Sequence, residues 1–170
     1  MQLIRCTRKL LKELEGTPAV MENPSGALGP WHANLLRVER RKCALFTNDA
    51  TLYSLFVPGL RKPQFEQLPA VFGQSLFRAL RHEGFSQQQI EAVLDEIEEL
   101  RFGKTNNRSV LGSMNDLAYQ LEWIIDSLGG LGVSSLDEVH HKLNRIPMNA
   151  IKPHVFSIDA LRSRLAAAAP

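Results

Sequence analysis

Cysteine is nearly absent from this chain, and with it go disulfides and zinc as substitutes for a hydrophobic core. Only Cys6 and Cys43 are present, with no CxxC and no Cys/His spacing of the kind that holds zinc. Both fall in strand-like runs, which reads as buried, reduced thiols. Charge of one sign is scarce as well. Twenty Lys and Arg against eighteen Asp and Glu leave a net charge of +2, too little for a protein that holds nucleic acid by bulk charge alone. Any such contact has to come from a local patch. No apolar run approaches the roughly 18 residues of a membrane span, and the N-terminal residues lack the apolar centre of a signal peptide. The expected setting is the cytoplasm, with no membrane partner. Walker A, GxGxxG and GxSxG loops are missing, as are HExxH and HxH pairs. Familiar nucleotide, hydrolase and metal sites are thereby excluded, and no metal or cofactor is expected.

What is there suffices for one globular domain spanning residues 1–170. At 170 residues with 44% hydrophobic and 22% charged side chains, the chain can bury about two-thirds of its unfolded surface without a staple. Strand-like patterns occur at 2–6, 31–38, 43–47 and 51–57, with further short candidates at 100–104 and 154–156. Helical periodicity covers 7–15, 65–82, 86–100, 107–128, 134–143 and the segment from 157. Residues 17–30, with three Pro and two Gly, read as a long loop, and 166–170 as a frayed tail. Strands cluster early and helices late. The expected fold is therefore α+β: a small antiparallel sheet of three to five strands covered by about five helices.

The segment Lys104-Thr-Asn-Asn-Arg-Ser-Val-Leu-Gly-Ser-Met-Asn-Asp-Leu-Ala118 carries the most chemistry. Asn106 or Asn107 can cap a helix through residue 128 whose core stripe is Val110, Leu111, Met114, Leu117, Ala118, Leu121, Ile124, Ile125 and Leu128. Its other stripe holds Arg108, Gly112, Asn115 and Tyr119, where a solvated helix would carry Glu and Lys. The start of such a helix offers amides and a partial positive charge beside Thr105, Arg108 and Ser109, a setting for phosphate or carboxylate. The expected ligand-binding set is thus Thr105, Asn107, Arg108, Ser109, Gly112, Asn115 and Asp116. Equally, Asn107 can serve only as a cap, Gly112 only for close packing, and Arg108 only to pair an acid.

Two further groups enter as secondary candidates. The basic turn with Arg40, Arg41 and Lys42 can contact phosphate, or can simply guard a sheet edge. His140 and His141, with Arg145, can supply a general base beside a phosphate clamp, as a metal-independent ribonuclease would need. Adjacent helix positions diverge by about a hundred degrees, so at most one of the two histidines can face such a site. The acidic residues Glu91, Asp95, Glu96, Glu98 and Glu99 read as a solvated helix face.

The block from Lys104 to Ala118 resembles the signature of an uncharacterised bacterial and archaeal domain family. Ile4-Arg-Cys-Thr-Arg-Lys-Leu-Leu11, Arg41-Lys-Cys-Ala-Leu-Phe-Thr-Asn48 and Leu143-Asn-Arg-Ile-Pro-Met148 agree with the same resemblance, which spans nearly the whole chain. It implies a one-domain bacterial-type protein and brings no catalytic residue with it. From the residues themselves the leading expectation is a cytoplasmic module binding RNA, DNA or another phosphate-bearing ligand through 105–116. The alternative is a protein-interaction or regulatory module of a mobile-element or defence locus, acting through the acidic 91–99 face or the 17–30 loop without catalysis.

Overall fold

In the strand Arg41–Asn48 (β3), six consecutive residues from Cys43 to Asn48 are buried. Alternate side chains of a strand point to opposite faces, so continuous burial requires cover on both sides. Ala44 and Phe46 enter one apolar core, and Cys43 and Leu45 enter the other. The computed structural model, which describes residues 1–20, 24 and 26–168, shows how that cover is provided. A five-stranded sheet carries helices on both faces.

The strands are β1 (Gln2–Cys6), β2 (Trp31–Val38), β3, β4 (Ser54–Val57) and β5 (Leu100–Lys104), in the order β4-β3-β2-β1-β5. The meander β2-β3-β4 is antiparallel, as its short turns require. The expectation of an antiparallel sheet fails at β1, which runs parallel to both neighbours, with Ile4 opposite Trp31 on one side and Phe102 on the other. Parallel neighbours need a long crossover. The chain supplies one in the stretch between Cys6 and Trp31 and another in the helices that precede Leu100. The sheet is therefore mixed.

Among the described residues seven helices complete the fold: α1 (Arg8–Leu11), α2 (Lys62–Glu66), α3 (Leu68–His82), α4 (Gln87–Ile97), α5 (Arg108–Ser127), α6 (Leu136–Leu143) and α7 (Ser157–Ala168). α3, α4 and α7 bring Phe72, Leu76, Ile90, Val93 and Leu161 to the core shared with Trp31 and Phe46. α5 and α6 bring Met114, Leu117, Leu121, Val139 and Leu143 to the core on the opposite face.

Several boundaries differ from the periodicity. α1 ends at Leu11, after one turn, where the periodicity predicts a helix through residue 15, and the Thr7 hydroxyl at its start donates to Asn34 Oδ1 at 2.8 Å and does not cap it. The apolar run 65–82 splits into α2 and α3 around Gln67, with Pro69 in the first turn of the second helix. Residues 154–156 form a bend and not a strand, and Met148 N–H donates to Val155 O at 2.8 Å. The expected loop 17–30 and tail 166–170 lie partly outside the described residues, and α7 stays helical through Ala168.

Candidate functional site

Because β1 and β5 are parallel neighbours, with Cys6 opposite Lys104, their carboxyl ends finish side by side. The chain then starts a helix from each: α1 after Thr7 and α5 after Asn107. Ligand crevices in sheets with parallel strands form at such ends. Here an open cleft of about 600 Å³ is lined by Arg5, Lys104, Thr105 and Asn106, with residues 17–20 as its other wall. Two cations and the polar Thr105 and Asn106 side chains face it, and no carboxylate belongs to its described lining. Arg5 Nη1 also donates to Lys104 O at 3.5 Å, which ties the two strand ends together.

The helix start beside this cleft is more committed than its sequence suggests. Asn107 Oδ1 accepts from Ser109 N–H at 3.0 Å and Val110 N–H at 3.1 Å, so two first-turn amides are already occupied by the cap. An anion here would be met chiefly by side chains. Arg108 is exposed and its side chain has no partner among the described residues. Gly112 is exposed too, and a Cβ placed there would meet nothing within 4 Å. Close packing is therefore not its purpose. It leaves a bare notch in the helix face, one turn beyond Arg108.

The rest of the expected set disperses. Ser109 and Asn115 are exposed on α5. Asp116 lines a separate groove of about 480 Å³ with Ser113 and the segment Ile146–Ala150. The basic turn lies near the far end of α5, where Glu39 Oε1 accepts from Leu131 N–H at 2.8 Å. A helix of 20 residues is about 30 Å long, so Arg40 and Arg41 cannot share a small ligand with Arg108. Lys42 is paired with Glu13 at 2.6 Å.

His140, His141 and Arg145 do not line the cleft, and each has a partner elsewhere. His140 is buried at 5% exposure, with Nε2 accepting from Phe56 N–H at 2.9 Å. Burial holds its pKa below the ordinary 6.5. One turn on, Asn144 accepts from Ser54 N–H at 2.7 Å and donates to Ser54 O at 2.8 Å. Four helical residues rise about 6 Å and two strand residues about 6.6 Å. His140 and Asn144 thus match Ser54 and Phe56 and close the outer edge of β4, as a sixth strand would. Arg145 clasps Glu83 with both terminal nitrogens, at 2.9 and 2.6 Å, and Arg162 and His141 stand 3.6 and 3.9 Å from the same carboxylate. Burial pushes the Glu83 carboxyl up, but the bonds and charge of Arg145, with His141 and Arg162, bring it below its ordinary value.

Sequence reasoning passed over Arg5 and His32. The signal for Arg5 was a lone cation inside the apolar run Leu3-Ile4-Arg5-Cys6. His32 looks isolated in the sequence, yet its Nδ1 lies 2.6 Å from Asp49 Oδ1. By register it stands between Arg5 on β1 and Thr47 on β3, and Thr47 Oγ1 lies 2.8 Å from Ser54 Oγ. A polar row thus crosses the sheet on the α5 side. His32 Nε2 has no partner among the described residues, the geometry of a carboxylate-oriented base, but the ring is fully buried and out of reach of solvent. Both thiols are buried and free, and burial pushes Cys6 up to about 12. The acidic face is not uniform: Glu96 accepts from Ala27 N–H at 2.5 Å while Glu91, Asp95, Glu98 and Glu99 are exposed. Among the described residues no group of His, Cys, Asp and Glu is placed to hold a metal, and no helix is long and apolar enough to cross a membrane.

A comparison with curated proteins finds no match to this chain. A family model described as a domain of unknown function, DUF6933, matches residues 3–160, from β1 into α7, and so takes in the parallel strand pair, the cleft between their ends and all of α5. On that match the chain belongs to the DUF6933 family.

Proposed function

We propose that this protein binds a phosphate-bearing ligand, RNA or DNA in the first place, in the cleft at the carboxyl ends of β1 and β5. One observation carries the reading: parallel pairing brings Arg5 and Lys104 to a single opening that Thr105 and Asn106 also line. Arg108 stands exposed at the start of the helix that follows, where the helix dipole adds to its charge. Thr105 and Asn106 supply hydroxyl and amide hydrogen bonds, the groups that position a phosphate without reading sequence. Gly112 leaves room for backbone or sugar to approach α5. The net charge of +2 limits such a contact to a few phosphates.

Neutralising about three phosphates on a single strand gives a slope of log K against log salt of about −2. Labelled RNA and DNA pools titrated with the full chain at increasing salt should show that dependence. Lys104→Ala and Arg108→Ala should each weaken binding and flatten the slope by about 0.7, while Lys62→Ala on α2 should not. Absence of salt-sensitive binding, or binding indifferent to both changes, refutes the proposal.

A further inference from the structure

The exposed face of α5 changes character along its length. Near Arg108 it is basic and small, but from Tyr119 onward it is aromatic and acidic. Tyr119 is 62% and Trp123 61% exposed, edge to face with ring centroids 6.5 Å apart. The other tryptophan, Trp31, is 1% exposed in the core, so the chain does bury such a ring where packing calls for it. Between Trp123 and the end of β2 lies a groove of about 460 Å³ with Val38 and Ile125 among its apolar lining. Glu39, Glu122 and Asp126 face it together with one cation, Arg37.

None of these four charged groups forms an ion pair among the described residues. Glu39 is fixed by the Leu131 amide, and Glu122 and Asp126 are exposed on the last turns of α5. Three carboxylates against one guanidinium in this lining disfavour a phosphate seated in the groove. The complement is a cation with an apolar stem. An arginine or lysine stacked on an indole face gains cation–π attraction, most for Trp, and its methylenes can lie along the apolar lining. Exposed Trp and Tyr beside a pocket are also the residue types that dominate binding energy at protein interfaces.

We infer that this groove docks an arginine- or lysine-bearing segment of a partner protein, its cation seated on Trp123 beside Glu122 and Asp126. This surface is separate from the phosphate cleft and does not depend on it. The test is selection from a random displayed-peptide library on the full chain, after depletion on the Trp123→Ala variant, whose exposed ring can be removed with the fold intact by circular dichroism. Recovered peptides should be enriched in Arg and Lys. A recovered peptide, titrated by Trp123 fluorescence, should bind about tenfold more weakly to the doubly neutralised Glu122→Gln, Asp126→Asn chain, and more weakly as salt rises. Trp123→Phe should retain part of the affinity. Recovery of no Trp123-dependent peptide, or of peptides without basic enrichment, overturns the inference. So does Trp123-dependent self-association of the peptide-free chain, since a second copy would then be the occupant.

Discussion

Replacing Asn144 with alanine should cost this protein as much as a core truncation, although it removes only a carboxamide. Asn144 is fully buried. Its side chain accepts from Ser54 N–H and Ser157 Oγ at 2.7 and 3.0 Å, and donates to Ser54 O and His140 O at 2.8 and 3.0 Å. In Asn144→Ala both main-chain groups of Ser54 lose their partner inside the protein, where each unsatisfied group costs about 1–3 kcal/mol. The expected loss is about 2–6 kcal/mol. With a urea m-value of about 2 kcal/mol/M, the midpoint should fall by about 1–3 M, read by tryptophan fluorescence. His140→Ala should act on the same strand edge through Phe56. The double variant should therefore deviate from additivity by more than about 0.5 kcal/mol, as residues of one network do. Both variants uncover an edge strand and should self-associate more readily. A midpoint shift below about 0.5 M, equivalent to about 1 kcal/mol, would refute the view that α6 closes the sheet through these two side chains.

Stability should also depend on pH in a definite sense. His140 has a folded pKa below its ordinary 6.5, so the unfolded chain binds the extra proton and stability falls as pH drops through about 6.5. Glu83 is likewise depressed, and its contribution is present above the ordinary carboxyl value and lost as pH falls through the folded one. Thermal unfolding between about pH 7.5 and pH 5 should show the histidine step, and His140→Gln should remove it. Gly112→Ala meets no obstacle and should stabilise α5 by about 0.5–1 kcal/mol in the same unfolding assay. It should nonetheless weaken nucleic-acid binding if the notch admits ligand. Asn107→Ala should cost about 1 kcal/mol through loss of its two amide bonds, and equal stability of variant and parent would contradict the cap assignment.

The helices and the meander were legible because their signals are local. The stripes of α3, α4 and α5, the Asn107 cap, the alternation in β2 and the apolar run from Cys43 to Phe46 in β3 all lie within a few residues. The direction of β1 was not legible from its five residues, since nothing in Gln2–Cys6 states which neighbour it will have. Only the length of the following connection argued for a parallel partner. The cleft depends on that one pairing, so Lys104 and Thr105 lay in view while Arg5, about a hundred positions away, did not. His140 and His141 show the same limit. Helical geometry says that adjacent side chains diverge, but which of them meets a strand edge is set by the docking of α6.

The charges of α5 offer a last argument, because they are placed against the helix they belong to. A helix is stabilised by acids in its first turn and bases in its last. α5 has no acid in the first turn and no base in the last, and instead carries Arg108 at its start and Glu122 and Asp126 towards its end. Stability does not account for that order. The two proposed ligands do, since a phosphate at the amino end and an arginine or lysine at the carboxyl end each require the sign that is present. Reversing the ends should therefore trade function for stability. Arg108→Glu and Asp126→Lys should each raise stability by about 0.3–1 kcal/mol in urea unfolding. The first should weaken salt-sensitive nucleic-acid binding more than Arg108→Ala does, and the second should weaken capture of basic peptides at Trp123 by about tenfold or more. If both reversals stabilise α5 and leave both kinds of binding intact, the charges serve neither ligand and the two site assignments fall together.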